Sequence, residues 1–507
     1  MRCFPRWQRR LILLLALLPT RLTAQASAYV PLDHPLLPLL EHLIVRGDVE
    51  DPSPAVRPFR QSDALLVLGR ADTVGRPGLA AQVRLLAGAF DTLPRDAGWR
   101  VAARAGGQGY SSPRRDLTRP TGSGAVKPYA EIGLSARFGE AIAVSRPILE
   151  PRLADDPEWT GRRNLKVTGR MAEAYVAGQW RWVQVFYGQM ERNWGPAGVD
   201  GIPLSGASYG RPEIGLVLGS GTVRLTALAS DLRSTTDSLG TIYQRYFFAH
   251  RIDARLSRRL HLGLWETVVV AGEGRTFDGR FRNPVSLLLL ANQYGLGDRE
   301  NNLMIGLDWD WWAARGLLVS GQLAIDDLQY QHRSGPTRYP DRYAFTLGVS
   351  GALGRAASWR ALYTQVSSLA FRTFDPAQDF LDGGVGIGRT YDDYDQAVLR
   401  VGLPLRQRWI ISPEVMLIRQ GEGRIQAPVP PGNTTAAGDT PELFIGVRER
   451  SYRAGVSVSG SEGPLGLSAS AGYLHRVNAD NVDGRTRNRF VGQLTVTLGV
   501  TRGGTLR

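Results

Sequence analysis

The chain has 507 residues, a formal net charge of +14, a mean hydropathy of -0.19 and one cysteine, Cys3. Outside the leader that holds Cys3 there is no thiol, which excludes disulfides, cysteine metal sites and a cysteine nucleophile. Positive charge is almost all arginine, the only lysines being Lys127 and Lys166, and no basic run points to nucleic acid. The excess reads either as the composition of a GC-rich genome or as attraction to anionic lipopolysaccharide or acidic polysaccharide.

In chain order, Arg2, Arg6, Arg9 and Arg10 precede a short apolar run, Leu11 to Leu18, and then Ala24-Gln25-Ala26. That is the layout of a cleavable secretory signal peptide over residues 1–26. The run falls well short of the ~20 residues of a spanning helix. Without the leader's five arginines the charge is about +9. The longest later apolar run, Val285 to Ala291, is interrupted by Ser286. The mature chain is therefore expected in the periplasm, in the medium, or in the outer membrane as a barrel, whose signal is alternation and not bulk hydropathy.

Residues 27–95 read as a small helical segment. Leu36, Leu40, Leu43 and Ile44 recur at helical spacing, Ser62 is placed to cap a helix from Asp63 to Arg70, and Leu79 to Phe90 carries Val83, Leu86 and Phe90 on one face. Three short helices are too few for a core of their own and must pack on something else.

From Trp99 the period becomes two. Leu303, Ile305, Leu307, Trp309 and Trp311 alternate with Met304, Gly306, Asp308 and Asp310, and Phe490, Leu494, Val496, Leu498 and Val500 stand against Gln493, Thr495 and Thr497. About eighteen such segments occupy residues 96–507, starting near Trp99, Pro128, Ile142, Met171, Trp180, Pro212, Thr222, Phe247, His261, Leu303, Gly316, Arg342, Ser358, Gln396, Arg408, Tyr452, Gly466 and Arg489. Connections alternate between short ones, such as Ser220-Gly221 and Arg406-Gln407, and long ones, such as Arg192 to Arg211, Asp231 to Arg245 and Phe371 to Asp395. Short periplasmic turns and long extracellular loops give that order in a transmembrane barrel, and a soluble sandwich has no reason to keep it. The expected fold is an all-β transmembrane barrel of about 18 antiparallel strands. A tail, Thr501 to Arg507, follows the last apolar strand residue, where such barrels usually end on an aromatic.

Catalytic or metal chemistry finds little support. The six histidines form no H-x-x-x-H or H-E-x-x-H spacing, and G-x-S-x-G is absent. Asp326-Asp327 and Asp392, Asp393 and Asp395 offer carboxylates for Ca²⁺ or acid-base work, but without EF-hand spacing they read as solvated loop groups. No cofactor and no metal is expected. Trp180, Trp182, Trp309, Trp311 and Trp312 fit an interfacial girdle. Trp159 and Trp194 fall in long loops, as do Tyr110, Tyr209, Tyr243, Tyr294, Tyr330, Tyr339 and Tyr391, where exposed rings can stack on sugars or pack the loops.

Several segments together resemble the Wzi family of outer-membrane capsule-assembly proteins: Tyr29-Val30-Pro31 with the helix from Pro35 and Gly47; Arg192-Asn193-Trp194-Gly195-Pro196 leading to Leu204-Ser205; His250 to Arg259 with Leu262-Gly263-Leu264-Trp265-Glu266, Asn283-Pro284 and Asn292-Gln293; and Asn301-Asn302 closing on Ile325-Asp326-Asp327. The resemblance implies an eighteen-stranded barrel with a helical bundle at its periplasmic end and a lectin-like, non-catalytic role in retaining capsular or related surface polysaccharide. Outer-membrane lipid and lipopolysaccharide, and the barrel-assembly machinery during biogenesis, are the further partners expected. Arg192 and Trp194, where the match is densest, head the candidate polysaccharide contacts, followed by Trp159, Tyr209, Asp326 and Asp327. A porin or polysaccharide export channel is the alternative, and an outer-membrane hydrolase is a third reading.

Overall fold

The computed structural model describes residues 26–90, 93–94, 96–165, 167–293, 301–328, 340–429 and 440–506. The leader through residue 25, Lys166, Tyr294, Tyr330 and Tyr339 lie outside them. Three helices come first: α1 (Leu37–Arg46), α2 (Gln61–Gly69) and α3 (Pro77–Ala89). Pro38 and Pro77 sit in the first turns of α1 and α3, where a missing N–H is harmless. Gly47, at φ +73°, caps α1 in the left-handed region, and its N–H donates to Ile44 O. Ser62 lies within α2, and the residue before the helix is Arg60, ion-paired with Asp63 at 2.6 Å. No helix among the described residues is long and apolar enough to cross a membrane.

Eighteen strands follow: β1 (Ala97–Tyr110), β2 (Ala125–Phe138), β3 (Ala141–Leu149), β4 (Gly169–Gln179), β5 (Val183–Met190), β6 (Arg211–Gly219), β7 (Val223–Thr236), β8 (Ile242–Arg255), β9 (Leu260–Glu273), β10 (Asn302–Ala314), β11 (Leu317–Asp327), β12 (Arg342–Leu353), β13 (Ala357–Val366), β14 (Tyr394–Leu405), β15 (Trp409–Gln420), β16 (Glu449–Glu462), β17 (Leu465–Val477) and β18 (Thr486–Thr505). Each pairs antiparallel with its chain neighbours, and β1 pairs with β18, so the sheet closes on itself. A short helix, α4 (Leu288–Gln293), lies in the β9–β10 connection. The starts fall close to the expected ones, the largest offset being β8, which begins at Ile242 and not near Phe247. Asp231 to Arg245, expected as a long loop, is mostly strand, because β7 and β8 extend as a hairpin beyond their neighbours.

Side chains alternate as a membrane barrel requires. On β16, Glu449, Ser451 and Arg453 are buried inward while Arg450, Tyr452 and Ala454 face out. Outward residues such as Val176, Ile214, Leu264, Leu347, Val415, Leu494 and Leu498 are exposed on the apolar outer wall. Trp180, Trp182 and Trp311 are exposed near the short turns, and Tyr343, Phe345, Tyr363, Tyr452, Tyr473 and Phe490 line the outer face near the long loops. Trp312 departs from the expected girdle. It packs over Gly47, where a Cβ would stand 3.1 Å from its ring. Strand alternation accounts for this: Trp311 faces out, so Trp312, still in register with Leu318, faces in toward the helices, and the bulge comes only after it.

The tail is part of the barrel. β18 runs to Thr505 and pairs with β1 from Gly98↔Thr505 to Tyr110↔Gln493. Deleting residues 501–507 removes the short-turn half of the closing seam. The expected result is a lower melting temperature and a smaller folded, heat-modifiable fraction on gels. An unchanged melting curve would show that the seam does not need these pairs.

Candidate functional site

The inner wall is polar because the outer wall is apolar, so the lumen must satisfy buried charge. On β8 to β11 it does so with one network. Arg251, fully buried, donates from Nε to Asp253 at 2.8 Å and pairs with Asp308. Asp308 also accepts from Trp265 Nε1 at 3.0 Å and Gln322 Nε2 at 2.9 Å. Trp265 can lie there because its register partner is Gly306, and a Cβ at that position would overlap the indole.

Gln322 carries the network into the connection between β5 and β6. Its Nε2 donates to Trp194 O at 2.7 Å, and its Oε1 accepts from Ile202 N at 3.1 Å. Asn193 closes the turn internally, donating to Val199 O at 2.8 Å and accepting from Gly201 N at 2.7 Å. Ser205 then ties this segment to the β13–β14 connection, its N donating to Ile387 O at 3.0 Å and its Oγ to Gly388 O. Residues 191–210 and 367–393 thus fold into the lumen, where Trp194, Ile202, Leu204, Phe371, Phe380 and Ile387 form a shared apolar core with inward Phe247, Trp265 and Met304.

A second insertion comes from the opposite end. Arg46 on α1 donates to Arg355 O at 2.9 Å, and His42 shares a 2.7 Å hydrogen bond with Ser358, so α1 closes the short-turn end. Burial and Arg46 push His42 down to about 4, which leaves it neutral. From the helices residues 53–57 rise to meet the loop: Arg57 N donates to Asn193 O at 2.7 Å, and Asn193 N donates to Arg57 O at 2.9 Å. The Arg57 guanidinium is held by Glu41 at 3.0 Å and Asp51 at 2.8 Å. A continuous column therefore fills the lumen beside β7 to β14.

Beside it remains a cavity of about 890 Å³. Its floor is Pro35 to Val45, its walls carry Arg104, Gln108, Glu131, Arg146, Arg360, Gln493 and Thr495, and its roof is Asp116 to Arg119 with Gly388 to Tyr391. Arg146 is paired with Asp33 at 2.8 Å, Glu173 at 2.8 Å and Glu131 at 3.4 Å. Burial opposes ionisation of Asp33, but Arg146 outweighs it and holds that carboxyl well below the usual range. Among the described residues no group of three or more His, Cys, Asp or Glu is arranged to hold a metal ion.

The candidate contacts divide. Trp194 is fully enclosed, its ring 5.8 Å from the Arg251 guanidinium, and is not the exposed loop ring the sequence suggested. Tyr209 is also buried; its hydroxyl donates to Asp156 at 2.6 Å and the Arg115 guanidinium lies 3.9 Å over its ring. Arg192 pairs with Glu213 and lies over Phe186 at 4.8 Å. Asp326 accepts from Phe371 N at 2.8 Å, tying β11 to the inserted loop. Trp159 is half-buried, edge-on to Tyr209 at 5.1 Å, and Asp327 is half-exposed beside Arg342. The structure joins Trp159 and Tyr209 in one contact, sets Trp194 and Asp326 on the inserted column, and leaves Arg192 and Asp327 outside both groups. Asp392 and Asp393 are buried and not solvated: Asp392 lies 3.0 Å from Arg372, and Asp393 accepts from Gly423 N and Ile445 N at 2.9 Å. Sequence reasoning passed over Arg57, Asp308 and Gln322; the available signal was a charged or amide residue at an inward position of an alternating strand.

No family model and no curated protein matches the chain. Among solved structures, Escherichia coli Wzi, described as an outer-membrane protein involved in group 1 capsule assembly and a carbohydrate-binding β-barrel, aligns with a TM-score of 0.63 at 14% identity, covering 94% of this chain and 99% of that one. Pseudomonas aeruginosa OprD aligns at 0.44 and 10% identity, over 80% of this chain and 95% of its own. OccK8 (OprE) of the same organism aligns at 0.45 and 11%, over 80% and 98%. The fold is that of an outer-membrane β-barrel. More particularly, it is Wzi-like.

Trp194→Ala empties the centre of the column and is expected to cost about 3–5 kcal/mol. Limited proteolysis should cut residues 191–210 faster while the barrel keeps its heat-modifiable mobility; equal cleavage rates would contradict the packing role. Burial pushes Asp379 up to about 8 and Asp392 up to about 7. Carboxyl pKa values raised by folding favour the protonated form, so their contribution is complete at acid pH and is lost as pH rises through 7 to 8. Proteolysis of 367–393, measured relative to an Asp379→Asn/Asp392→Asn variant, should accelerate as pH rises from about 4 to 8 and level off above that. A constant ratio would count against it.

Proposed function

We propose that the protein is a non-catalytic outer-membrane barrel that binds and retains capsular or related surface polysaccharide, contributing to capsule assembly. In this reading the leader over 1–26 is cleaved on export, the short turns and helices face the periplasm, and the long loops face outward. The observation that carries the reading is the column inserted into the lumen from both ends, which occupies the side beside β7 to β14 and leaves the long-loop end as the surface on which a polymer too large to enter can be held. The likeness to a carbohydrate-binding barrel along nearly the whole chain supports it.

Trp159 and Asp327 are the candidate contacts that keep some exposure, one bringing an indole ring and the other a carboxylate for hydroxyl groups. Arg192, Trp194, Tyr209 and Asp326 are proposed to serve binding by holding the loops that present them. Lipopolysaccharide and the barrel-assembly machinery complete the proposed partners.

Loss of the gene should move polysaccharide from the cell-bound fraction into the medium while total synthesis is unchanged; an unchanged bound fraction would sink the proposal. In pull-downs with the detergent-solubilised protein, Trp159→Ala and Asp327→Ala should weaken capture several-fold with the melting temperature preserved. Arg192→Ala and Trp194→Ala should weaken it together with loop protection. The cavity of about 890 Å³ keeps a channel reading in view. Steady ohmic conductance in planar bilayers would favour that reading over retention.

A further inference from the structure

The long-loop ends of β15 to β18 carry positive charge that neither the lumen nor the polysaccharide reading uses. Within 448–450 and 476–489, six arginines stand against three acidic residues, Glu449, Asp480 and Asp483. Glu449 points inward, where Arg476 and Arg119 claim it, and Asp480 is shared by Arg476, Arg485 and Arg487. Arg448 and Arg450 have no carboxylate partner among the described residues.

These two arginines sit on the outer face. Arg450 points outward on β16 directly opposite Arg419 of β15. Arg419 is neutralised by Asp395 at 2.9 Å. The Phe444 ring lies between Arg419 and Arg448, its centroid 5.2 and 5.1 Å from their guanidinium carbons. Phe444 is itself held in place, at φ +66°, by donating its N–H to the same Asp393 that accepts from Ile445 and Gly423. Phe444, Gly446, Arg448, Arg450, Asn478 and Asp483 enclose a concavity of about 400 Å³. Its one acid, Asp483, is exposed.

Depth along the barrel axis identifies what this concavity meets. Tyr452, two residues from Arg450 on the same face, is 44% exposed, and its outward neighbours Tyr473 and Phe490 are 51% and 66% exposed. Such rings mark the level where hydrocarbon gives way to headgroups. Arg450 stands about 5 Å above that level, two residues of rise along a strand tilted about 40°. Two adjacent unpaired guanidiniums repel unless an anion lies between them, and a phosphate matches the planar donor fork of arginine.

We propose that this outward concavity binds a phosphate group of an anionic outer-leaflet glycolipid, with Arg448 and Arg450 as its ligands and the Tyr452, Tyr473 and Phe490 rings against the acyl region. The proposal rests on the orientation given above and not on polysaccharide binding, which uses the loop tops.

The full-length protein in detergent, offered lipid A or its dephosphorylated form, can be read by native mass spectrometry. The phosphorylated lipid should be retained about tenfold better, and an Arg448→Gln/Arg450→Gln variant should lose that preference while keeping wild-type heat modifiability and polysaccharide capture. An Arg448→Lys/Arg450→Lys variant, which keeps charge but not the fork, should fall between them. Equal retention of the two lipids, wild-type retention by the Gln variant, or equal occupancy by inorganic phosphate alone would each overturn the assignment. An unchanged cell-bound fraction in the gene-deletion experiment would sink the retention reading and leave these lipid outcomes unaffected, so the two readings fail separately.

Discussion

Every other feature depends on the closure of the sheet between β1 and β18. Inside a bilayer an open strand edge exposes N–H and C=O groups with no water to satisfy them, so the first and last strands must find each other. The polar end of β18, Thr501 to Thr505, is therefore structural: it pairs with Ala102 to Gly98 at the start of β1. Closure also fixes polarity. Once the apolar side chains of each strand face out, the alternate ones face in, and they are Arg251, Asp308, Gln322, Glu414 and Arg453.

Charged groups facing inward cannot be left alone. A buried pair barely repays its desolvation, whereas one stripped of its partner costs about 3–5 kcal/mol. The lumen accordingly works by multiple coordination, with Asp308 meeting Arg251, Trp265 and Gln322 at once. Gln322 has donor and acceptor capacity left over and spends it on the backbone of Trp194 and Ile202. The same residues that neutralise the wall thus hold the inserted loop. This also explains the segments that resemble the Wzi family. Asn193, Trp194, Arg251, Trp265, Asn302 and Asp326 converge on the inserted column, where Asn302 donates to Gln378 O at 3.1 Å and Asp326 receives Phe371 N. What they share is a role in filling a barrel.

How much of this the sequence revealed depended on periodicity. Strands such as Asn302–Ala314 repeat every two residues because one face meets lipid, and Leu36, Leu40 and Leu43 recur at helical spacing in a helix buried on nearly all sides, so both were legible. Long loops carry no repeat. Trp194 reads as an exposed ring until Gln322 and Asn193 are seen to draw its segment inward, and Tyr209 until its hydroxyl is placed on Asp156. Trp312 kept its strand position, but the same alternation that sends Trp311 outward turns Trp312 inward. The tail read as an appendage because Arg502, Gly503 and Gly504 lack apolar alternation; only their partners on β1 show that they are strand. Of the candidate site, the wall residues were visible by parity, and the direction of each loop was not.

The inserted column divides the molecule into two functional surfaces. Beside β7 to β14 the lumen is packed with apolar side chains from both inserted loops, and an aqueous path there would have to dismantle contacts from Trp194 to Phe380. Beside β1 to β3 and β15 to β18 the lumen is open but charged, with Arg146 bridging Asp33 of the N-terminal segment to Glu131 and Glu173 of the wall. Breaking that bridge would leave buried charges on both sides unpaired, which makes displacement of the N-terminal segment costly. The barrel is thus held at its short-turn end by ion pairs to the N-terminal segment and at its long-loop end by packed loops. In the proposed reading, polysaccharide is held at the loop tops and a lipid phosphate on the outer face above the aromatic belt.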